Sequence, residues 1–223
     1  GVSGGADSLA LAVVLTELVG KDKVVALTVD HKLRDESTDE AKYVASVMQN
    51  LDVEHHILTW KGKKPKQGIE EAARIARYNL LYDWCKNNDV GALCVAHHLL
   101  DQAETFFIRL NRGSGLAGLC GMAPVGYWKD LRIVRPLLDV HPDELKKYLQ
   151  EKNIRWVEDP SNQSDAFLRC RIRKFFPILE DMTGITAERI ADTMRVLARS
   201  RDYIRFQTDN FIEKYSRFWE GVG

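Results

Sequence analysis

The sequence has few cysteines and no paired cysteine motif. Its four cysteines are Cys85, Cys94, Cys120 and Cys170. None belongs to a Cys-x-x-Cys pair, so the spacing does not indicate a disulfide framework. We therefore expect reduced cysteines that act as small hydrophobic residues of the core.

The sequence also lacks an excess of charge and a long hydrophobic run. Lys plus Arg and Asp plus Glu each number 32, so net charge does not indicate nucleic-acid binding, although local basic patches remain open. The longest apolar run, Leu9 to Leu15, is too short to span a bilayer and has no signal-peptide features. With 223 residues, 45% of them hydrophobic, we expect a cytoplasmic protein with one α/β domain and a smaller second part.

Short β-branched runs alternate with longer amphipathic segments, which predicts an α/β fold with a parallel twisted sheet and helices on both faces. The predicted strands are Val24 to Val29, Glu54 to Trp60 and Ala92 to Ala96. The predicted helices are Asp7 to Val19, Ser37 to Leu51, Ile69 to Lys86 and Leu100 to Asn111, followed by a long helical stretch from Ile185 to Phe218. Ser37 and Glu40 have capping-box spacing, which predicts a well-defined start for the second helix.

A glycine turn, Ser3 to Ser8 (Ser-Gly-Gly-Ala-Asp-Ser), leads directly into the first predicted helix. Consecutive glycines let a ligand approach the backbone, and the amides at a helix start favour phosphate. Asp7 would repel a phosphate unless a divalent cation lay between them, so Asp7 predicts magnesium. The turn has no lysine, which argues against a Walker A loop. Because only Gly1 and Val2 precede the turn, we expect that the strand usual before such a turn is missing from this sequence.

A second group of polar residues lies where the third predicted strand gives way to a helix. His97, Asp101 and Glu104 are spaced so that a helix starting at His97 would carry them on one face. A structural zinc site is not favoured, because the group has no thiolate and no second histidine at helical spacing. The alternatives are a solvated helix face, above all for Glu104, and capping roles for His97 and Asp101.

Several arginines could bind a polyphosphate, because the planar guanidinium suits charge-assisted contacts to phosphate. They are Arg74, Arg77, Arg112, Arg169, Arg171 and Arg173. The run Gly113 to Gly118 matches the dinucleotide-binding fingerprint in its letters, but it follows a helix and not a strand. We interpret it as a mobile glycine loop near the site.

Together these stretches resemble the tRNA(Ile)-lysidine synthetase family of PP-loop ATP pyrophosphatases. The motifs that carry the resemblance are SGGADS at Ser3, DHKLRDES at Asp30, ARYNLL around Arg77, AHHLLDQAET at Ala96, RGSGLAGLCGM at Arg112, RPLL at Arg135, EDPSN at Glu158 and RCRIR at Arg169. They occur in the family's order, and the RGSGLxGL and EDPSN elements are specific to this family among PP-loop proteins.

The resemblance implies a Rossmann-like PP-loop fold and an enzyme that uses ATP and magnesium. It would adenylate the C2 carbonyl oxygen of the wobble cytidine in the CAU anticodon of tRNA(Ile), after which free L-lysine would displace AMP to form lysidine. Two alternatives stay open. One is a PP-loop tRNA thiolase, which would need a catalytic cysteine pair or an iron–sulfur site, and the other is a nucleotide-binding module without catalysis.

The resemblance also implies the site residues. Contacts to ATP are expected from Ser3, Gly4, Gly5, Ala6, Asp7, Ser8, Thr28 and Asp30, the last two near the base. Catalytic roles are expected for Asp7, His97, Asp101, Arg77 and Arg169, with magnesium bound by Asp7. Contacts to lysine or to the tRNA nucleotide are expected from Glu104, Arg112, Gly113 and Gly115.

By the same resemblance, residues 1–176 form the ATP-binding catalytic domain, and residues 177–223 form a helical linker towards a C-terminal tRNA-binding region that this sequence does not contain. With a net charge near zero, we expect weak tRNA binding without that region. The sequence departs from the family at two positions. Leu100 stands in place of an acidic residue, so that Asp101 would act without an acidic neighbour, and Cys170 stands where asparagine is usual.

Overall fold

The computed structural model of the protein describes residues 1–33, 36–62, 64–65, 67–158 and 168–216. The strands in these residues are β1 (Val25–Asp30), β2 (Glu54–Thr59), β3 (Ala92–Cys94), β4 (Val125–Trp128) and β5 (Leu131–Val134). The α-helices are α1 (Ala6–Val19), α2 (Ser37–Asn50), α3 (Ile69–Asn87), α4 (Leu99–Asn111), α5 (Leu116–Leu119), α6 (Pro142–Glu151), α7 (Leu168–Thr183) and α8 (Ala187–Tyr215). The three predicted strands and the first four predicted helices are confirmed, each to within two residues.

The parallel strands belong to a compact unit made of Gly1–Asp101 and Ala123–Ser164. Strand β1 pairs in parallel with β2, and β3 pairs in parallel with β5. The first two residues bridge these pairs, because the Val2 amide donates to the Leu27 carbonyl of β1 (2.8 Å) and the Gly1 amine donates to the Cys94 carbonyl of β3 (2.9 Å). The glycine turn therefore begins between the two strand pairs.

Helices cover both faces of this sheet, as the sequence predicts. Neighbouring residues of β1 point to opposite faces, so Ala26 packs into a core with α1, α2 and α6, while Leu27 packs into a core with α3. In the first core Leu9 of α1 and Leu149 of α6 are fully buried. Helix α6 was not predicted, and its packing against α1 completes that face.

Strands β4 and β5 form an antiparallel hairpin that the sequence analysis missed. They complete a three-stranded sheet of order β3-β5-β4 beside the two-stranded sheet β1-β2, and Trp128 lies opposite Leu131 across the turn. Each strand has only four residues, β4 contains Gly126, and β5 has two β-branched residues, Ile133 and Val134, so both are weak strand signals in the sequence. The hairpin matters for the site because β5 ends next to β3 and leads directly to Arg135.

A second compact unit consists of Gln102–Met122 and Asp165–Gly223 and is helical in its described part. Helix α5 packs against α8, and the rings of Phe107 and Phe176 make an edge contact with centroids 6.3 Å apart. The predicted long helix is confirmed as α8, although its predicted end at Phe218 lies outside the described residues. Beyond Met194, α8 exposes large apolar side chains such as Ile204 and Phe211.

The predicted domain division at residue 176 stays a prediction. None of the helices in the described part of the chain has both the length and the apolar character needed to cross a lipid bilayer.

Candidate active site

The glycine turn needs glycine at its second position. Gly4 has a φ of 92°, which side chains rarely adopt, and a Cβ atom there would lie 3.2 Å from Cγ2 of Val44. The Gly4 carbonyl accepts a hydrogen bond of 2.9 Å from the amide of Val157. The turn is thus held against α2 and against the segment that follows α6, so its shape is set by close packing.

Ser8 shapes the turn from inside. Its hydroxyl donates to the Gly5 carbonyl (3.0 Å) and accepts from the amide of Ser3 (3.1 Å), and Ser8 is buried. Ser3 is exposed, and its hydroxyl lies 3.2 Å from that of Ser8. Of the two predicted serine contacts, the geometry favours Ser3 as the residue that touches a ligand and Ser8 as the residue that positions it.

The start of α1 is suited to an anion. Gly5 is the N-cap residue, and among the described residues no side chain caps this helix. The first amides of a helix have no partner within it and carry the positive end of the helix dipole. Asp7 lies in the first turn of α1, beside buried Ala6, so a carboxylate stands next to this positive end. A phosphate bound here would lie close to that carboxylate.

His98 and Asp101 cap the start of α4 for each other. The backbone amide of His98 donates to Oδ2 of Asp101 (3.1 Å), and the backbone amide of Asp101 donates to Nδ1 of His98 (3.3 Å). This is capping-box geometry with histidine in the place of serine or threonine. Because Nδ1 accepts a hydrogen bond, the neutral ring carries its proton on Nε2.

Nε2 of His98 faces two carboxylates. It lies 3.6 Å from Oδ2 of Asp7 and 3.6 Å from Oδ2 of Asp101. The His98 side chain is 7% exposed, whereas those of Asp101 and Asp7 are 12% and 35% exposed. The buried imidazole thus lies within ion-pair distance of both carboxylates but beyond hydrogen-bond distance, and Asp7 is the more accessible of the two.

The imidazole of this cluster belongs to His98, whereas the sequence analysis had chosen His97. Helix α4 begins at Leu99, so His97 is outside the helix, and the prediction that a helix starting at His97 aligns it with Asp101 is wrong. His97 is half-buried. Adjacent histidines cannot be told apart by spacing when the helix start is uncertain by two residues.

Asp30 supports the local structure at the end of β1. Its carboxylate accepts hydrogen bonds from the hydroxyls of Ser37 (2.8 Å) and Thr38 (3.0 Å) and from the amide of Lys32 (2.9 Å). Burial raises the pKa of this carboxyl group, but the hydrogen bonds outweigh burial and lower the pKa from 3.8 to about 2. The predicted capping box is wrong, because Glu36 is the N-cap of α2 and the Ser37 hydroxyl turns back to Asp30.

The predicted base contacts lie inside the sheet. Thr28 is buried, and its hydroxyl lies 2.8 Å from Nε2 of His55. The accessible end of this strand pair is formed by His31 and Trp60, whose rings make an edge contact at 5.9 Å. Burial, and then the charge of Arg77, lowers the pKa of His31 to about 4, so its ring is neutral at pH 7. Its buried Nδ1 has no hydrogen-bond partner among the described residues. Sequence reasoning missed His31, although it follows Asp30 directly.

Arg77 lies in the same unit, on α3. Taken as a whole, Arg77 is solvent-exposed, but protein atoms surround its guanidinium group. This burial lowers the pKa of the guanidinium, and the charge of Arg74, one helical turn away, lowers it further. The charge of Arg77 also contributes to the lowered pKa of His31. The prediction that Arg77 meets a phosphate stays a prediction.

In the helical unit, Glu104 binds two arginines. Its side chain is 3% exposed, with Oε2 at 3.1 Å from Nε of Arg169 and Oε1 at 2.7 Å from Nε of Arg173. The interpretation of Glu104 as part of a solvated helix face is therefore wrong. Its buried carboxylate holds the guanidinium groups of Arg169 and Arg173. Arg169 is 44% exposed and also lies 3.4 Å from the Thr105 hydroxyl, so its guanidinium is held but accessible.

The glycine loop is anchored at its second half. Residues 116–119 form α5, and Arg109 donates to the carbonyl of Gly121 (3.4 Å) as well as to that of Gly118 (2.5 Å). A Cβ atom on Gly121 would overlap the Cε atom of Met194. The predicted substrate contacts Arg112, Gly113 and Gly115 lie in the first half of the loop, where all three are exposed.

Two of the quoted motifs are described only in part. In DHKLRDES residues 34 and 35, and in EDPSN all residues after Glu158, lie outside the described part of the chain. Among the described residues, no group of three or more His, Cys, Asp or Glu side chains could by itself hold a metal ion. Asp7 fits magnesium only if phosphate oxygens and water supply the other ligands, which is the usual way magnesium binds with a nucleotide.

Residues 1–179 match the PP-loop domain family. The chain is similar to the tRNA(Ile)-lysidine synthase of Orientia tsutsugamushi (strain Boryong), with 45% identity over 174 residues that cover 77% of this chain and 39% of the relative. It is 40% identical to the enzyme of the same name from Zymomonas mobilis subsp. mobilis over 211 residues, covering 93% of this chain and 63% of the relative. For the one from Ruegeria pomeroyi the identity is 40% and the shares are 93% and 50%.

The chain thus spans about half the length of the curated relatives it matches. Among solved structures, a U34-tRNA thiolase from Methanococcus maripaludis with its [4Fe-4S] cluster superimposes with a TM-score of 0.73. The match covers 88% of this chain and 70% of the thiolase at 19% identity, so it shows a common fold and nothing about the reaction.

Proposed function

The chain belongs to the PP-loop domain family, and on that premise we propose that it catalyses ATP-dependent attachment of L-lysine to C2 of the wobble cytidine in the CAU anticodon of tRNA(Ile). The observation that carries this proposal is the cluster of Asp7, His98 and Asp101 beside an uncapped helix start. The relatives named tRNA(Ile)-lysidine synthase support the choice of substrate.

In the first proposed step, the C2 oxygen of the cytidine attacks the α-phosphorus of ATP. A phosphorus–oxygen bond forms, and the bond to the leaving pyrophosphate breaks. The amides that follow Gly5 and the hydroxyl of Ser3 would hold the phosphates. Asp7 would bind magnesium together with phosphate oxygens, and the bound ion would neutralise part of their charge. Preorganised positive charge of this kind lowers the barrier because it needs no reorganisation during the reaction.

In the second step, the ε-amino nitrogen of lysine forms a bond to C2, and the C2–oxygen bond to AMP breaks. The amine has to lose a proton, since its pKa in water is about 10.4. The proton acceptor in our proposal is the carboxylate of Asp101, reached directly or through water. His98 does not accept this proton, because its Nδ1 is occupied by the Asp101 amide and its Nε2 already carries a proton. It acts as the positioning residue for both carboxylates.

We place the adenine base at the open end of β1 and β2, near Asp30 and next to His31 and Trp60. These rings make an edge contact, and Nζ of Lys64 lies 4.3 Å from the centroid of the Trp60 ring, so aromatic and positively charged groups are available to the base. Within the helical unit, the buried carboxylate of Glu104 holds the guanidinium of Arg169 in one orientation, which suits this residue to bind an anion. The cytoplasmic location expected from the sequence remains part of the proposal.

The test is a reaction with ATP, magnesium, L-lysine and a tRNA(Ile) transcript that carries the CAU anticodon. We expect one AMP released per lysidine formed, detected by mass spectrometry of the nucleosides, and no product from a transcript with another wobble base. Without lysine, adenylated tRNA should accumulate together with pyrophosphate. Binding of ATP without pyrophosphate or AMP release would favour a nucleotide-binding module, and sulfur incorporation would favour a thiolase.

A further inference from the structure

Three arginines of the first unit lie on the two elements, α3 and the β4–β5 hairpin, that hold the stacked rings of Tyr78 and Trp128. Arg74 and Arg77 lie one turn apart on α3, and the guanidinium carbon of Arg74 is 5.1 Å from the ring centroid of Tyr78. That ring stacks on Trp128 of β4 with a centroid distance of 4.9 Å and an interplanar angle of 28°. Arg135 lies against the same strand, because its Nη1 is 3.1 Å from the position of a Cβ atom on Gly126, two residues before Trp128. Besides burial, the charge of Arg74 also lowers the pKa of the Arg135 guanidinium, in agreement with this proximity. We call Arg74, Arg77 and Arg135 the arginine cluster.

Arg135 is held in place by backbone contacts. It follows the last residue of β5, and its Nη1 donates a hydrogen bond of 2.9 Å to the carbonyl of Ala123. A Cβ atom on Gly126 would lie 3.1 Å from the same Nη1, so the glycine leaves room for the guanidinium. Its Nε is buried and has no hydrogen-bond partner among the described residues. The Arg135 side chain is thus held in place, and its Nε–H group is a buried donor without an acceptor among the described residues.

The positive charge of the cluster is not compensated by carboxylates. In the part of the chain that the structure describes, none of the three guanidinium groups forms an ion pair. Burial is the main cause that lowers the pKa of Arg77 and of Arg135, and the neighbouring charge of Arg74 adds to it in both. By contrast, Arg169 and Arg173 in the helical unit share the carboxylate of Glu104. Like charges held together and partly desolvated cost free energy, which a bound anion would offset.

The location favours a phosphate as that anion. The Val95 amide donates to the Val134 carbonyl (2.9 Å), so Arg135 leaves β5 beside the residues that lead from β3 to His98. The charge of Arg77 acts on His31, at the end of β1. In open α/β sheets, ligands bind outside the carboxyl ends of the strands. The cluster therefore lies at the edge of the sheet that carries the proposed site.

We propose that Arg135, together with Arg74 and Arg77, forms a phosphate-binding site in which the fixed guanidinium of Arg135 donates to phosphate oxygens. The phosphate can come from two sources, the polyphosphate of a nucleotide or the phosphodiester backbone of RNA. The proposal rests on the proposed function only for the choice of these two sources. Its test is a binding measurement, so that loss of lysidine formation and loss of phosphate binding can be told apart.

The test compares Arg135→Gln with Arg132→Gln, which removes an exposed arginine from the middle of β5. Affinities for ATP, for inorganic pyrophosphate and for a short single-stranded RNA are measured by calorimetry or fluorescence anisotropy at fixed salt. We expect Arg135→Gln to weaken at least one of these ligands by about tenfold, the usual size of a lost charged hydrogen bond. Arg132→Gln should stay within about twofold of the wild type, well below the effect of such a loss.

The pattern of losses identifies the source. Weaker binding of ATP and pyrophosphate with unchanged RNA binding assigns the cluster to a nucleotide's polyphosphate. Weaker RNA binding, with a smaller dependence of affinity on salt, assigns it to a phosphodiester. If Arg135→Gln does not fold, Arg74→Gln is measured in its place, because Arg74 is exposed. Unchanged affinities for all three ligands in the folded variant would overturn the proposal.

Discussion

The Nε2 atom of His98 lies 3.6 Å from the Oδ2 atom of Asp7. Two residues that are 91 positions apart in the sequence thus join the glycine turn to the start of α4. The other ring nitrogen of His98 accepts the amide of Asp101, so the direction in which the ring donates is determined by the helix cap. The two ring nitrogens of His98 therefore have different roles: Nδ1 caps helix α4, and Nε2 faces the carboxylate of Asp7. A substitution can remove one role and keep the other.

His98→Asn should separate the two roles. Asparagine is a good N-cap residue and keeps an acceptor for the Asp101 amide, but it removes the donor that faces Asp7. We expect lysidine formation to fall by about 100-fold, while thermal stability changes little. His97→Asn is the matched control and should retain most of the activity. Equal losses in both variants would contradict the assignment to His98.

Asp7→Asn should abolish adenylation and leave the fold intact, because it keeps the size of the side chain and removes its charge. We expect a rate loss of about 100-fold or more at saturating magnesium, measured as pyrophosphate release. Glu17→Gln on the same helix is the control, since Glu17 pairs at the surface with Lys152 and Tyr148. Near wild-type turnover of Asp7→Asn would reject the proposed magnesium ligand.

Asp101→Asn should slow the attack of lysine more than adenylation. The amide oxygen can still accept the His98 amide and so preserve the helix cap, but it cannot accept a proton from lysine. Adenylated tRNA should therefore accumulate in single-turnover reactions that are quenched and assayed for both species. Parallel loss of both steps, or of neither, would show that Asp101 is not the proton acceptor.

Gly121→Ala should destabilise the helical unit. The residue has a φ of 69°, and an added Cβ would overlap Met194 and lie 2.9 Å from Oε1 of Gln102. Overpacking and backbone strain together typically cost about 1–3 kcal/mol. Gly115→Ala is the control, because its φ is −78° and a Cβ there meets nothing within 4 Å. Urea unfolding of the two variants measures the difference, which we expect to be absent for Gly115→Ala.

The hydrogen bonds of Asp30, and its ion pair with Lys32 (Nζ to Oδ2, 3.1 Å), should make the stability of the fold depend on pH in the acid range. Because its pKa is lowered from 3.8 to about 2, the carboxylate stabilises the folded state fully above about pH 4, and this contribution is lost as the pH falls through about 2. The shift corresponds to about 2 kcal/mol. The difference in unfolding free energy between wild type and Asp30→Asn should therefore shrink between pH 5 and pH 2. A difference that does not change with pH would exclude this role.

The sequence by itself determined the strands β1 to β3, the helices α1 to α4 and α8, and the glycine turn, because these depend on local periodicity and on residues with special backbone freedom. The strands β4 and β5 and the helices α5, α6 and α7 were not predicted. The quoted motifs and their order along the chain were sufficient to identify the family. It also identified Asp7 and Asp101 as residues of interest.

Only the tertiary structure decided which groups face each other. A helix that begins at Leu99 turns His98 towards Asp7, and no spacing rule distinguishes it from His97. Glu104 looks like a surface residue until Arg169 and Arg173, more than 60 positions away, bury its carboxylate. Arg135 belongs to a short motif whose meaning depends on β5 lying beside β3. Such pairings come from long-range packing, which fixes side-chain partners that neighbouring residues in the chain cannot specify.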